Sequence, residues 1–246
     1  MTSTDALSTV FQDKTRRQKR SQIATLILMG AAPIAILALD PLHQEVQVFE
    51  DVNACQSAFL HDASYCQALQ TAAATRHETM APSYASKALC EADFAHVTDS
   101  SCQTGWCSDT AISGCEIGSD GQFHPQFSAF MVQQSLITAA MNGTPLPIDN
   151  LTEQQLQPVY GMPEAALSQD GSGDPQRSYY GPMPFLWHYV TPGGQYLGDN
   201  RLKRPVTLSR MQLASATGKT ITGETRRGGF GTTAKKSMAS ARSMGS

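Results

Sequence analysis

Residues 45–80 read EVQVFEDVNACQSAFLHDASYCQALQTAAATRHETM. The first six, Glu45-Val46-Gln47-Val48-Phe49-Glu50, partly alternate apolar with polar, which is the period of a short strand. Asp51 or Asn53 then stands where a helical turn around Cys55 needs a cap. From Ala63 to Met80 the chain is rich in Ala, Gln and Glu, all good helix formers, and Pro82 stops the run. A strand feeding helices that carry cysteines predicts a small α+β domain stapled by disulfides.

Downstream, Ser86 is placed to cap a second helix reaching about Ala95. Residues 99–122 are dense in Ser, Gly, Cys and Asp and read as loop. Phe127 to Met141 reads as a helix with Phe130, Met131, Leu136 and Ala140 sharing part of a face, ended by Asn142-Gly143. The Pro, Gly and Gln of residues 143–182 predict an irregular linker. Phe185 to Val190 is a strand by its aromatic and β-branched content. Pro192-Gly193-Gly194 supplies a turn, and Gln195-Tyr196-Leu197 returns as the partner strand. Beyond Arg210 periodicity is lost, and residues 211–246 are expected as a flexible basic tail. The expected organisation is thus a Cys-containing helical domain over 40–142, a linker over 143–182, a β-hairpin region over 183–210, and the tail.

Upstream, Lys14-Thr15-Arg16-Arg17-Gln18-Lys19-Arg20 closes a basic leader of residues 1–20, and residues 21–39 carry no charge. The apolar heart, Ile23 to Leu39, has the length of a short spanning helix or a long signal-peptide core. Basic residues before it stay cytoplasmic, so the rest of the chain faces outward. An uncleaved anchor, cleavage near Ala38, and a buried helix of a cytosolic domain are the three fates considered, the first being favoured. A bacterial inner-membrane protein with its bulk in the periplasm is expected. All six cysteines follow this segment: Cys55, Cys66, Cys90, Cys102, Cys107 and Cys115. An even, clustered set beyond an export signal reads as a disulfide framework. Local closure of Cys107 with Cys115, and two bridges among Cys55, Cys66, Cys90 and Cys102, is the expected pairing.

Charge is segregated. Residues 40–200 hold only three basic side chains (Arg76, Lys87, Arg177) against eighteen acidic ones, whereas residues 201–246 hold ten basic and one acidic. The basic tail, with Arg226, Arg227, Lys235, Lys236 and Arg242, is expected either to fold back on the acidic body or to meet an anionic surface or an envelope partner. Arg226-Arg227-Gly228-Gly229-Phe230-Gly231 occurs once rather than in tandem, so no nucleic-acid partner is expected.

Several of these patches, in this order, carry a resemblance. Val48-Phe49-Glu50-Asp51-Val52-Asn53-Ala54-Cys55, then Tyr65-Cys66 and its Ala-rich helix, then Ala81-Pro82-Ser83-Tyr84-Ala85-Ser86 with Cys90 and Cys102, resemble the YgiB/YjfM family of uncharacterised bacterial envelope proteins. The tail Arg227-Gly228-Gly229-Phe230-Gly231 and Ser240-Ala241-Arg242-Ser243-Met244-Gly245 is similar to it as well. The resemblance implies one N-terminal membrane-targeting segment and an extracytoplasmic body of unknown function. It also implies a genomic association with an ATP-grasp protein resembling glutathionylspermidine synthase. Where family members place a lipoprotein-type Cys, this chain has Leu39-Asp40. The Cys107/Cys115 pair looks additional to the family pattern.

Chemical motifs are sparse. Gly218-Lys219-Thr220 mimics the end of a phosphate-binding loop, but Leu213 stands where the first glycine belongs. Cys102 and Cys107 are too far apart for a thioredoxin-type pair. Cys102, Cys107, Cys115 and His124 form a zinc-type set that competes poorly with oxidation outside the cytoplasm. His188 stands between Trp187 and Tyr189 on the opposite face of a strand, where a structural histidine is the expected role. The reading is a non-catalytic binding or scaffolding protein without cofactor. Its rivals are a thiol-redox or enzymatic accessory factor working with the ligase-like protein, and a metal-binding envelope protein.

Overall fold

The alternation at residues 45–50 becomes the strand β1 (His43–Phe49). A computed structural model describes residues 43–59, 63–98, 112–168, 186–201, 204–216 and 229–244. Its internal contacts divide the chain into residues 1–43 and residues 44–246. Every described residue except His43 belongs to the second unit. The N-terminal apolar segment, Cys102, Cys107, Arg226 and Arg227 lie outside the described residues. Among the described residues, no helix is long and apolar enough to cross a membrane.

Three helices follow β1: α1 (Val52–Phe59), α2 (Ala63–Met80) and α3 (Lys87–Phe94). Asp51 caps α1, its carboxylate accepting from the Ala54 N–H at 2.7 Å. Ser86 caps α3 by accepting from the Leu89 N–H. These are the side chains expected there, and each satisfies a backbone donor that the helix itself leaves open. Two short antiparallel pairs come next, β2 (His96–Val97) with β3 (Ile112–Ser113) and β4 (Cys115–Ile117) with β5 (Phe123–Pro125). The strand β6 (Ala129–Gln133) runs straight into α4 (Gln134–Met141), and a 3₁₀ turn at Ile148–Asn150 leads to β7 (Leu156–Pro163) and α5 (Glu164–Ser168). The remaining elements are β8 (Trp187–Val190), β9 (Tyr196–Asp199), β10 (Val206–Ser209), α6 (Arg210–Ala216) and α7 (Gly229–Met244).

Six strands form one sheet in the order β10-β1-β6-β7-β8-β9, and the pairings from β1 through β9 are antiparallel. Strand alternation sorts the core by face. On one face Phe49, Phe130, Val132 and Leu156 meet α1, α2 and α4 through Phe59, Leu69, Leu136 and Ile137. Farther along the same face, Tyr160, Met162 and Val190 meet Phe94, Leu167 and Phe230 from α3, α5 and α7. The opposite face carries Val46, Ala129, Met131, Val159, Tyr189 and Leu197, packed with Leu208 and with Leu213 of α6. Arg76 ties α2 to the entry of β7 by donating to the carbonyls of Leu151, Thr152 and Leu156.

The mixed helix and strand class with disulfides agrees with the sequence, but four expectations need correction. Residues 127–141 are not one helix, because Ala129–Gln133 is a strand buried along its whole length. A central strand covered on both faces has no alternation to betray it. The stretch 143–182 is not an irregular linker throughout, since it holds β7, the strand joining β6 to β8. Pro158 and Gly161 within β7 masked it, being residues that usually argue against a strand interior. The stretch 211–246 is not a flexible tail throughout. It contains α7, whose Phe230, Ala234 and Met238 are buried at helical spacing. Finally, Cys115 does not pair with Cys107. The disulfides are Cys55–Cys66, joining α1 to α2, and Cys90–Cys115, joining α3 to β4, with Cα separations of 5.8 and 6.1 Å. The entropy that favours short loops grows only slowly with loop length, and packing of α3 against the β4–β5 hairpin decides the partner.

Phe230 and Gly231 explain how α7 docks. The Phe230 ring lies 5.1 Å from that of Phe94, a tilted aromatic pair inside the core. The Asp93 carboxylate accepts from the Gly231 N–H and from the Tyr84 hydroxyl at 2.9 Å. A Cβ at Gly231 would stand 3.1 Å from an Asp93 carboxylate oxygen, so a larger residue would require that carboxylate to shift by a few tenths of an ångström. Ser237 accepts from the Tyr196 N–H at 2.9 Å and so occupies a donor of the edge strand β9.

Candidate functional site

The C-terminal half of α2 projects Ala74, His77 and Glu78 from one face, since positions three and four apart lie together on a helix. Facing them is the β4–β5 hairpin, in which Glu116 is register-paired with His124 and Ile117 with Phe123. Its turn is closed by Gly118 N–H donating to Gln122 O at 2.8 Å and Gly121 N–H to Gly118 O at 3.1 Å. Two anchors hold the hairpin in place. Cys90–Cys115 bonds it to α3, and Tyr84 and Phe123 exchange two backbone hydrogen bonds of 2.9 Å. Between helix and hairpin lies a cavity of about 270 Å³, lined by His77, Glu78, Glu116, Ser119, Asp120 and His124 together with Ala74, Ile117 and Gly118.

His77 is fixed from below. Its Nδ1 lies 3.2 Å from the Tyr160 hydroxyl, and Phe127 packs edge-on against the ring. Burial holds the imidazole below its usual pKa, while Glu116 and Glu78 pull it the other way and His124 adds to the lowering. Burial pushes the Tyr160 phenol up, so it keeps its proton. With that phenol donating to Nδ1, the neutral ring carries its own proton on Nε2, which is 3.9 Å from Glu116 Oε1. His124 is held on both sides: Nδ1 is 3.2 Å from the Pro82 carbonyl and Nε2 is 3.0 Å from Asp120 Oδ1. The same Asp120 oxygen accepts the Gln122 N–H at 3.0 Å. The hydrogen bond from His124, then that from Gln122, holds the exposed Asp120 carboxylate below its ordinary range.

The chain is a member of a protein family of unknown function. Residues 43–241 match the family model described as "Protein of unknown function (DUF1190)". No curated protein matches the chain, and no solved structure does. Within the DUF1190 region, the cavity combines three carboxylates, two imidazoles and an exposed Ile117, which suits it to hydrogen-bond and charge recognition. Among the described residues, no group of three or more His, Cys, Asp and Glu side chains has the arrangement of a metal site.

The residues singled out by sequence fall elsewhere. Cys55, Cys66, Cys90 and Cys115 are in disulfides, so Cys115 cannot serve as a thiolate ligand beside His124. Lys235 and Lys236 lie on α7, Lys236 exposed; Arg242 belongs to the same helix. Gly218, Lys219 and Thr220 lie outside the described residues. His188 is buried on β8, opposite in the ladder to Asp199, with Nδ1 3.5 Å from the Tyr196 hydroxyl, and it does not line the cavity. His77, Glu78, Glu116 and Asp120 carried no sequence signal. They come from a helix and a hairpin that only the tertiary fold brings together.

Proposed function

We propose that this DUF1190 chain is a non-catalytic, membrane-tethered binding module on the periplasmic side of a bacterial envelope, of the YgiB/YjfM kind. The cleft between α2 and the β4–β5 hairpin is its recognition site. The observation that carries this reading is the Cys90–Cys115 disulfide. It fixes one wall of a cleft that gathers two histidines and three carboxylates, and bonds of this sort persist in oxidising compartments. The uncharged segment at 21–39 supplies the tether, with its basic leader inside. The basic C-terminal region, including exposed Lys236, engages an anionic envelope surface, an attraction that salt weakens by screening.

Native and denaturing mass spectrometry of chain purified from membrane and periplasmic fractions tests this. A full-length, membrane-bound, oxidised chain carrying a small-molecule adduct that Glu116→Gln abolishes is the expected result. A reduced chain in the cytosolic fraction overturns the placement, and an adduct indifferent to Glu116→Gln overturns the cleft.

A further inference from the structure

His124 lies between two groups that can only accept. The Pro82 carbonyl oxygen is 3.2 Å from Nδ1, and Asp120 Oδ1 is 3.0 Å from Nε2. A neutral imidazole has one N–H and can satisfy one of them; the imidazolium has two and satisfies both. The two acceptors belong to different parts of the site. Pro82 follows the end of α2, and Asp120 sits in the β4–β5 turn that forms one wall of the cleft. We infer that His124 is a pH-dependent clasp, which in its doubly protonated state adds a bond between that wall and the α2–α3 connection and on losing a proton gives it up, loosening the wall between its two fixed anchors.

The surrounding charges have the right sign. From the turn, Asp120 contacts the ring directly; from β4, Glu116 is its cross-strand partner; from α2, Glu78 and His77 line the same cavity. Three carboxylates and one further imidazole thus face the ring, and burial holds that second imidazole, His77, toward its neutral form. Gly118 shows how closely the turn is fitted. A Cβ there would stand 2.6 Å from His124 Cδ2 and 2.9 Å from Asp120 Oδ1. When one proton leaves, the remaining N–H stays with the carboxylate, the stronger acceptor, and the bond to Pro82 is lost. The direction follows: the wall is held more tightly at acid pH and loosens as pH rises. Histidine is the side chain whose charge changes between about pH 5 and pH 8, which sets the range to be scanned.

The consequence for ligand binding rests on the cleft being the recognition site; the clasp itself does not. The test is NMR on the full-length protein in detergent, following the His124 ring nitrogens and the exchange protection of the Tyr84, Gly118 and Phe123 amides from about pH 5 to pH 8. Both ring nitrogens should be protonated at the acid end. Loss of one proton should coincide with a drop of about tenfold in protection at these amides, the scale of one lost charge-assisted hydrogen bond. His124→Gln should abolish the pH dependence, and Gly118→Ala, whose added methyl crowds the His124 ring, should show the lower protection already at acid pH. A ring that stays singly protonated throughout, or a pH response unchanged in His124→Gln, overturns the clasp, and the wild-type titration decides even if a variant fails to fold. A clasp that titrates while the Glu116-dependent adduct never forms refutes the cleft reading alone. An adduct with no His124 transition refutes the clasp alone.

Discussion

Around Phe130, the sheet is covered by helices that adjoin its strands in the chain. The helix α1 follows β1, α2 follows α1 and is joined to it by a disulfide of sequence separation 11, and α4 continues directly from β6. Around Tyr160, on the same face, the cover is assembled from a distance. There α3, the β4–β5 hairpin, α5 and α7 meet, and the last of them begins at Gly229. The first core is local, so its helices have strand neighbours close by in sequence. The second depends on the distant segment around Phe230 returning to Phe94, and a disulfide of sequence separation 25 holds its hairpin. Two cores on one sheet face thus differ in how far their parts must travel, which is a difference in loop-closure entropy rather than in packing chemistry.

Phe230→Ala should break the comparison most sharply. It removes a fully buried ring from the distant core, and such truncations cost about 3–5 kcal/mol. Urea unfolding should show that loss, with hydrogen exchange accelerated in α3 and α7 more than in α1 and α2. Equal acceleration everywhere would mean the two cores form one cooperative unit. Next come the disulfides. Replacing Cys90 and Cys115 together by Ala should cost about 3.5 kcal/mol, and replacing Cys55 and Cys66 about 2.8 kcal/mol, on loop entropy alone. Thermal melts of the two double variants would reverse the argument if the shorter loop proved the more costly.

Asp93→Ala comes third. It leaves the Tyr84 hydroxyl and the Gly231 N–H without their acceptor, for a loss of about 1–3 kcal/mol by urea unfolding. Tyr84→Phe should cost less, because the Gly231 bond survives.

The smallest effect is in pH. Burial holds His96, whose ring lies against Trp187, and His77, beside Tyr160, below the usual histidine value, partly offset by the Phe94 carbonyl and by Glu116 respectively. The unfolded chain therefore binds more protons than the folded one as pH falls below about 6.5, and these two groups stabilise the fold above that value and lose their contribution as pH drops through the folded values. His96→Gln should flatten the slope of unfolding free energy between about pH 7 and pH 5, and an unchanged slope would remove His96 from the account.

Sequence and structure agree where local physics decides. Helix α2 was legible from Ala, Gln and Glu, α3 from Ser86, and the β8–β9 hairpin from Pro192-Gly193-Gly194. They part where tertiary burial overrides local pattern. The strand β6 is apolar on both faces, β7 contains Pro158 and Gly161, and α7 is built largely from Gly, Thr, Ser and Ala, whose helix forms because Phe230, Ala234 and Met238 are buried. The cleft was less legible than the fold. His124 drew notice only as one of a zinc-type set, and its partners His77 and Asp120 arrive from an Ala-rich helix and a turn with nothing unusual about either. What joins them is a disulfide whose pairing the spacing of cysteines did not dictate.

The seating of Phe230 also bears on how the chain matures. Synthesis runs from the N-terminus, so α7 emerges after α3, β7 and β9, the segments that receive it. Until it arrives, the rings of Phe94 and Tyr160 lack the cover it provides, and the Tyr196 edge lacks Ser237. A chain cut short before Gly229 therefore exposes apolar surface and an open strand edge, the two features that recruit chaperones and proteases. The glycine-flanked Phe230 is thus the closing piece of this core: a chain made past it hides surfaces that a shorter one leaves open.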